Sequence, residues 1–242
     1  MMIYPKHIAI IPDGNRTRSK KHWLSIFDGY IKSVDVAIEH IKYIFDNTDI
    51  KIISWRGMST DNLKKRPAEE TKFLFEMYKI CWNSLFEYMK LNKINFYWIW
   101  NPDWITQDFL DYLKKTKEDL TFDTDRYVIF AVNYSWKDEI LRWIQSYIKS
   151  NQIELSQDIN NIYNLTEDEL GKYMDLWSLP NVDMVIRTKW NTSSRTSWFM
   201  SWWIWYAELY FTDKLYQELD NEEIAKSLVR FDKISQFRNY WW

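Results

Sequence analysis

Short apolar runs alternate along this chain with longer segments in which apolar residues recur every three or four positions. Runs of four to seven apolar residues are typical of strands that are buried on both faces of a sheet. They lie at Ile8–Pro12, Ile50–Ser54, Asn95–Ile99, Tyr127–Asn133, Met184–Arg187 and Glu208–Phe211. Six such runs, separated by longer segments, predict a mostly parallel sheet.

The longer segments predict helices that flank this sheet. Pro67–Leu91 begins with proline, which a helix tolerates in its first turn, and continues as a long amphipathic pattern. We interpret its apolar stripe mainly as core. The predicted helices are Gly29–Asn47, Pro67–Leu91, Thr106–Lys117, Lys137–Ser150, Thr166–Tyr173 and Asn221–Phe237. The fold class that follows is α/β, with a single domain over residues 1–242.

Charge and cysteine content narrow the classes of function. The formal net charge is −2, so no overall basic field favours nucleic acid as a partner. The one cysteine, Cys81, excludes a disulfide framework and a cysteine-based metal cluster, and it fits a reducing cytoplasm. No run approaches the roughly 18 to 20 apolar residues of a membrane-spanning helix, and the first residues contain no apolar segment of signal-peptide length. We therefore expect a cytoplasmic protein with at most peripheral membrane contact.

The first apolar run ends in a turn that is rich in polar side chains. Asp13 and Gly14 are followed by Asn15 and by two arginines, Arg16 and Arg18. The carboxyl end of a parallel strand is where α/β proteins bind ligands, and glycine allows the backbone to approach a ligand closely. Arginines and the free N–H groups of a helix start attract phosphate, and an aspartate can hold a divalent metal beside it. The alternative is an ordinary Asp-Gly turn.

Five stretches of the chain occur in the order typical of a known family. They are His7–Asn15, Met58–Pro67, Val132–Trp136, the segment Asp183–Phe211 with its Ile-Arg-Thr and Tyr-Ala-Glu-Leu-Tyr-Phe sequences, and Arg238–Trp242. Together they resemble the cis-prenyltransferases, the undecaprenyl diphosphate synthase family. The resemblance extends over nearly the whole chain.

This resemblance implies a specific reaction and its partners. An allylic diphosphate, with farnesyl diphosphate as the first expectation, would condense with isopentenyl diphosphate to give a cis-polyprenyl diphosphate, the kind of product that serves as a cell wall lipid carrier. The family also implies Mg²⁺ as cofactor, a homodimer, and contact with the inner face of the membrane. The fold it implies has a six-stranded, mostly parallel sheet with surrounding helices.

The resemblance also assigns roles to residues. Asp13 would bind Mg²⁺ and assist diphosphate departure, and Glu208 would supply a second Mg²⁺ carboxylate. Asn62 stands where the proton acceptor has been proposed; because an amide is a poor base, it would instead orient the diphosphate that takes the proton. The expected substrate-binding residues are Gly14, Asn15, Arg16, Thr17, Arg18, Ile26, Tyr30, Ser59, Thr60, Asp61, Leu63, Arg66, Arg187, Arg195, Thr196 and Ser197.

Four of these positions depart from the family pattern. Thr17 and Arg18 stand where arginine and tryptophan are usual, Ile26 where arginine is expected, and Tyr30 where histidine is expected. A second hypothesis is therefore a catalytically impaired family member that acts as a partner subunit. A nucleotide-binding enzyme is disfavoured because neither a G-x-G-x-x-G motif nor a P-loop pattern is present.

The tryptophan content is abnormal. The chain has 16 tryptophans and 4 glycines, whereas glycine is about 7% of a typical protein. By the resemblance, glycine is usual at or near Trp23, Trp136, Trp190, Trp198, Trp241 and Trp242. We hypothesise that the source reads UGA as glycine and that these codons are represented here as tryptophan. The alternative is a genuine tryptophan-rich surface for lipid contact.

Overall fold

The structure, a computed structural model, describes residues 2–101, 105–150, 166–189, 191, 195–197 and 199–238, without the side chains of residues 26, 170 and 238. Its strands are β1 His7–Ile11, β2 Ile52–Ser59, β3 Asn95–Trp100, β4 Tyr127–Tyr134, β5 Met184–Arg187 and β6 Glu208–Phe211. They form one six-stranded sheet in the order β3-β4-β2-β1-β5-β6. Every neighbouring pair is parallel. The predicted fold class, a single α/β domain with flanking helices, is confirmed.

The helices of the described chain lie between these strands and after the last one. They are α1 Asn15–Lys21, α2 Ile26–Asn47, α3 Thr60–Lys65, α4 Ala68–Cys81, α5 Asn83–Leu91, α6 Gln107–Asp119, α7 Trp136–Ser150, α8 Glu167–Gly171 and α9 Asn221–Arg238. A 3₁₀ turn covers Tyr216–Glu218. A helix start was expected after the Asp13 turn, but the apolar pattern gave no bounds for α1 and did not predict α3. Each buries only one residue, Ser19 in α1 and Leu63 in α3, so neither shows the apolar periodicity that identifies a longer helix.

The helix predicted over Pro67–Leu91 is two helices, α4 and α5, with Trp82 between them. The indole of Trp82 is 1% exposed and lies 4.6 Å from the ring of Tyr78 and 4.2 Å from that of Phe130, measured between centroids. This contact with β4 fixes a turn at Trp82, where an amphipathic pattern by itself would continue. Tertiary packing therefore divides the segment, although its sequence has no helix-breaking residue at this point.

Strand β2 is longer than the predicted Ile50–Ser54. It continues to Ser59 because its pairing with β4 persists through a register shift between Arg56 and Met58. Gly57 occupies this irregularity, and a Cβ there would lie 3.3 Å from the carbonyl oxygen of Ala131. A bulge that re-aims side chains at the end of a strand is a common feature beside binding sites. The extension carries the end of β2 to the edge of the sheet where the polar loops begin.

Both faces of the sheet are covered, as a parallel sheet requires. On one face α2, α4, α5 and α6 contribute to a core that includes Ile41, Leu85 and Phe109. On the other face α7 and the segment that leads into β6 pack through Trp143 and Phe199. Among the described helices, none combines the length and the apolar character needed to cross a bilayer.

Candidate active site

A cavity of about 910 Å³ lies at the carboxyl ends of β1, β2, β4 and β5. This is the edge at which parallel α/β sheets bind ligands, since the loops that follow the strands meet there. Its lining has a charged and polar part from those loops and an apolar part from the helices and strands. The apolar lining residues include Val34, Ala37, Trp55, Leu74, Met77, Tyr78, Trp82, Phe130 and Tyr216. Two residues of the stripe assigned to the core, Leu74 and Met77, therefore also line the cavity.

Asp13 and Arg187 form an ion pair at the centre of the polar part. Arg187 Nη2 lies 2.9 Å from Asp13 Oδ2, and Arg187 Nη1 donates to Ser197 Oγ at 2.9 Å. The backbone of Asp13 is fixed as well, since its N–H donates to Thr188 Oγ1 at 2.8 Å and its carbonyl accepts from the same hydroxyl at 2.8 Å. Arg187 thus engages Oδ2, no described residue donates a hydrogen bond to Oδ1, and Asp13 is part of the cavity lining.

The turn after Asp13 requires glycine. Gly14 has φ +102°, and a Cβ on it would lie 2.7 Å from Leu215 Cδ2. A side chain at this position would be strained by both the backbone and the neighbouring leucine. Gly14, Asn15, Arg16 and Thr17, which the resemblance assigns to substrate binding, all line the cavity.

A second cluster of charge surrounds Glu70 on α4. Arg16 Nη2 lies 2.7 Å from Glu70 Oε1 and 2.6 Å from Oε2, the Tyr30 hydroxyl donates to Oε1 at 2.7 Å, and Arg66 Nε lies 3.6 Å from Oε1. Partial burial acts to raise the pKa of Glu70, but the hydrogen bonds from Tyr30 and Arg16 hold that pKa below its usual range. Glu70 is a carboxylate that aligns three predicted substrate-binding side chains, and the sequence reasoning did not identify it.

The junction of β2 and α3, where the helix follows the strand directly, contributes the next group of predicted residues. Ser59 Oγ accepts the backbone N–H of Asn62 at 3.2 Å, so its hydroxyl caps α3. Thr60 Oγ1 donates to the carbonyl of Asn133 at 3.2 Å, which ties the start of α3 to the end of β4. Ser59, Thr60, Asp61 and Asn62 line the cavity. Leu63, on α3, is buried and does not line the cavity.

Several predicted residues lie elsewhere. Arg18 does not line the cavity; it donates to Gln217 Oε1 at 3.0 Å and lies 3.9 Å from Glu218 Oε1. Thr196 is also absent from the lining, whereas its neighbours Arg195 and Ser197 belong to it. The side chain of Ile26 lies outside the described residues, as do Trp190, Trp198, Trp241 and Trp242.

Glu208 is not brought to Asp13 within one chain. It pairs with Met184 at the first residue of β5, whereas Ile11, just before the Asp13 turn, pairs with Arg187 at the last residue of β5. Glu208 therefore lies at the amino ends of the strands, whereas Asp13 follows a carboxyl end. In the described part of the chain, no group of three or more His, Cys, Asp or Glu side chains is arranged to hold a metal ion. A shared site for Asp13 and Glu208 stays a prediction that a single chain does not support.

Arg56 is a cavity residue that the sequence reasoning missed. It lies two positions beyond the predicted end of its strand, and Arg56 Nη2 donates to the carbonyl of Ser197 at 3.2 Å. The available signal was an arginine at the end of an apolar strand, the same signal that Arg187 gives at the end of β5. Lys189 also lines the cavity, and Lys189 Nζ donates to Thr17 Oγ1 at 3.0 Å.

A family profile described as putative undecaprenyl diphosphate synthase matches residues 11–238. The chain belongs to this family. The match includes the Asp13 turn, the β2–α3 junction at Ser59–Asn62 and Arg187, so the predicted resemblance to the undecaprenyl diphosphate synthase family is confirmed. The site at the carboxyl edge of the sheet is therefore the place to look for prenyltransferase chemistry.

Curated relatives of this undecaprenyl diphosphate synthase family member have similar length. The isoprenyl transferase of Aquifex aeolicus is 28% identical over 95% of this chain and 93% of its own. That of Fusobacterium nucleatum is 30% identical over 95% and 93%. A protein of Thermoplasma volcanium named tritrans,polycis-undecaprenyl-diphosphate synthase (geranylgeranyl-diphosphate specific) is 27% identical over 95% and 86%.

A solved structure shares the fold of this family member. Lavandulyl diphosphate synthase from Lavandula x intermedia, in complex with dimethylallyl diphosphate, superposes with a TM-score of 0.82. Each chain is covered to 95%, at 21% sequence identity. At that identity the comparison supports the architecture alone.

Proposed function

We propose that this protein is an isoprenyl transferase that condenses isopentenyl diphosphate with an allylic diphosphate to form a cis-polyprenyl diphosphate. The observation that carries the proposal is that Asp13 lines the cavity together with Arg16, Arg66, Arg187 and Arg195. Arg187 is paired with Asp13, whereas Arg16 and Arg66 share Glu70. Two diphosphates need two cationic sites, and their hydrocarbon tails need the apolar wall that the same cavity provides. The names of the relatives agree with this chemistry.

The reaction assigns distinct tasks to these residues. The carbon–oxygen bond of the allylic diphosphate breaks, and the electron pair leaves with the diphosphate, whose growing charge Arg16, Arg66 and the backbone after Gly14 would stabilise. The double bond of isopentenyl diphosphate, held by Arg187, Arg195 and Ser197, forms the new carbon–carbon bond. A proton then leaves the product, and Asn62 would orient the diphosphate oxygen that accepts it.

The residues around Asp13 fit a magnesium ion bound together with a substrate. Asp13 and Asp61 are two carboxylates of the cavity lining, and Arg187 donates to Oδ2 of Asp13. Mg²⁺ commonly takes one or two protein carboxylates and completes its coordination with phosphate oxygens and water. Asp13 would hold the ion, which when bound would neutralise diphosphate charge. We propose this role for Asp13. Glu208 lies at the other ends of the strands, so it would bind a metal ion together with Asp13 only if the two residues came from different chains of an assembly.

We extend the proposal to a homodimer and to peripheral membrane contact. β6 is an edge strand of the sheet. Exposed apolar side chains lie nearby: Leu209 is on β6, Tyr206 precedes it, and Phe237 is on α9. An apolar edge of this kind is protected in an assembly. Near the end of α1, Leu24 and Phe27 are exposed and follow Lys20 and Lys21 in the sequence, a combination that favours the surface of an anionic membrane. The product, a lipid, would be delivered there.

The alternative function, a partner subunit without activity, is weakened by the intact Asp13–Arg187 pair. The deciding experiment measures incorporation of labelled isopentenyl diphosphate onto farnesyl diphosphate, with and without Mg²⁺, with Asp13→Ala as the control. Mg²⁺-dependent elongation that disappears in the control supports the enzyme. A folded protein that fails to elongate farnesyl or geranylgeranyl diphosphate would favour the partner subunit.

A further inference from the structure

Arg56 and Arg187 point to the same place although they lie on strands that are not neighbours. Trp55 pairs with Ile10 on β1, so Arg56 lies level with Ile11, and Ile11 pairs with Arg187 on β5. The two arginines therefore flank Ile11 at the carboxyl edge of the sheet. Both side chains reach Ser197: Arg56 Nη2 donates to its carbonyl at 3.2 Å, and Arg187 Nη1 donates to its hydroxyl at 2.9 Å.

The charges around this point favour an anion. Arg187 is 3% exposed, and Arg56 is half-buried and borders the same cavity. Burial, followed by the positive charge of Arg187, lowers the pKa of Arg56 to about 10, while Asp13 and Asp61 act in the opposite direction. Arg56 thus remains a cation at neutral pH. Repulsion between its guanidinium and that of Arg187 costs free energy. A bound dianion would relieve that cost.

Ser197 itself is held in a conformation that suits this arrangement. Its φ is +52°, which places it in the left-handed region that side chains other than glycine seldom adopt. Its carbonyl turns to Arg56 and its hydroxyl to Arg187, so the strained residue joins the two guanidiniums. Arg195 lies two residues before it and also lines the cavity.

We propose that Arg56 is a specificity-determining residue that binds the diphosphate of isopentenyl diphosphate together with Arg187 and Arg195. The inference rests on the proposed function and adds a guanidinium to it. Arg56 does not belong to the group around Glu70, so its effect falls on one of the two substrates. Guanidinium forks suit phosphate oxygens, and each such contact contributes strongly to binding.

The test compares wild type with Arg56→Gln, Arg56→Lys and a matched control, Arg126→Gln. Arg126 also donates from Nη2 to a backbone carbonyl, that of Phe45 at 3.0 Å, but lies outside the cavity lining. Binding of isopentenyl diphosphate and of inorganic pyrophosphate is followed by thermal shift without allylic substrate, so no turnover occurs. Steady-state kinetics then give KM for each substrate separately.

We expect Arg56→Gln to weaken binding of isopentenyl diphosphate by about 10- to 100-fold and to raise its KM equally, with KM for farnesyl diphosphate changed less than about 3-fold. Arg56→Lys, which keeps the charge, should recover part of the loss, and Arg126→Gln should bind like wild type. If Arg56→Gln fails to fold, the same comparison is read from Arg56→Lys.

Unchanged binding of isopentenyl diphosphate in the Arg56 variants would overturn the proposal, as would an equal rise in KM for both substrates. The two proposals fail in different ways. Suppose that the wild type binds pyrophosphate, that Arg56→Gln binds it more weakly, and that the wild type elongates no allylic substrate. The anion-binding role of Arg56 would then be supported, and the proposed enzymatic function would be contradicted.

Discussion

Arg187 Nη2 lies 2.9 Å from Asp13 Oδ2 across the carboxyl edge of the sheet. The guanidinium is buried, whereas the carboxylate is 36% exposed on its side chain. The pair therefore joins a fixed cation beneath the site to an anion that borders the cavity. A buried guanidinium without its carboxylate is an uncompensated charge, which costs free energy. Asp13 therefore both stabilises Arg187 and borders the cavity in which we propose the reaction.

Replacement of Asp13 should affect activity far more than stability. Asp13→Asn removes the charge that pairs with Arg187 and the ligand proposed for Mg²⁺, so we expect elongation to fall by roughly 100-fold or more. Unfolding in denaturant should show a loss of about 1–2 kcal/mol, since Asp13 is partly solvated. Asp125→Asn, which removes an exposed ion pair with Lys51, is the control and should leave both quantities near wild type. A fully active Asp13→Asn protein would contradict the assigned role.

Loss of Glu70 should affect the allylic substrate selectively. Glu70→Ala frees Arg16, Arg66 and Tyr30 from the carboxylate that aligns them, so KM for the allylic diphosphate should rise by about 3- to 10-fold. KM for isopentenyl diphosphate should stay constant. Glu76→Ala on the same helix removes only an exposed pair with Lys79 and serves as the control. A lower allylic KM in Glu70→Ala would mean that Glu70 competes with the substrate for the arginines.

Glu139 on α7 should make stability depend on pH. Burial, followed by the charge of Asp175, raises the pKa of Glu139 to about 7. Its oxygens accept the Tyr134 hydroxyl and the N–H of Asp175, the latter at 3.2 Å. The native state thus binds more protons than the unfolded state between the ordinary carboxyl pKa and about 7. Stability contributed by the protonated form is therefore lost as pH rises through this window.

The expected loss is up to about 3 kcal/mol over that range. The measurement is the free energy of unfolding from urea titrations at several pH values between 4.5 and 8. Glu139→Gln cannot ionise at this position, so its free energy of unfolding should not show this fall. It should therefore exceed that of the wild type by an increasing amount as pH rises. An identical slope in both proteins would show that Glu139 is as easily ionised in the native state as in the unfolded chain.

Trp23→Gly should stabilise the protein. Trp23 has φ +56° and is 96% exposed, so its indole contributes little packing while its backbone is strained. Glycine adopts this conformation freely, and we expect a gain of about 0.5–1 kcal/mol despite the higher entropy of the unfolded chain. Trp205, which is 79% exposed and does not have a positive φ, is the matched control, and Trp205→Gly should not stabilise. The same result is expected if glycine is the natural residue at position 23, and destabilisation would count against the recoding hypothesis.

The sequence by itself determined the strands and the chemistry of the first turn. All six predicted strands are present. β1 to β5 are largely buried, as short apolar runs in a parallel sheet usually are, whereas β6 at the edge has no buried residue. The turn at Asp13 was also predictable, because Gly14 needs a positive φ and the polar residues follow at once. These features depend on nearest neighbours in the chain, which is the information that a sequence carries directly.

Only the tertiary structure decided which of these side chains meet. Arg56 and Arg187 converge because β1 lies between their strands in a fixed register, and Glu208 is separated from Asp13 because its strand begins at the other edge. Trp82 divides a continuous amphipathic pattern because its indole packs on Phe130. Such contacts join residues far apart in the chain. Their geometry follows from strand order and packing, which no local pattern specifies.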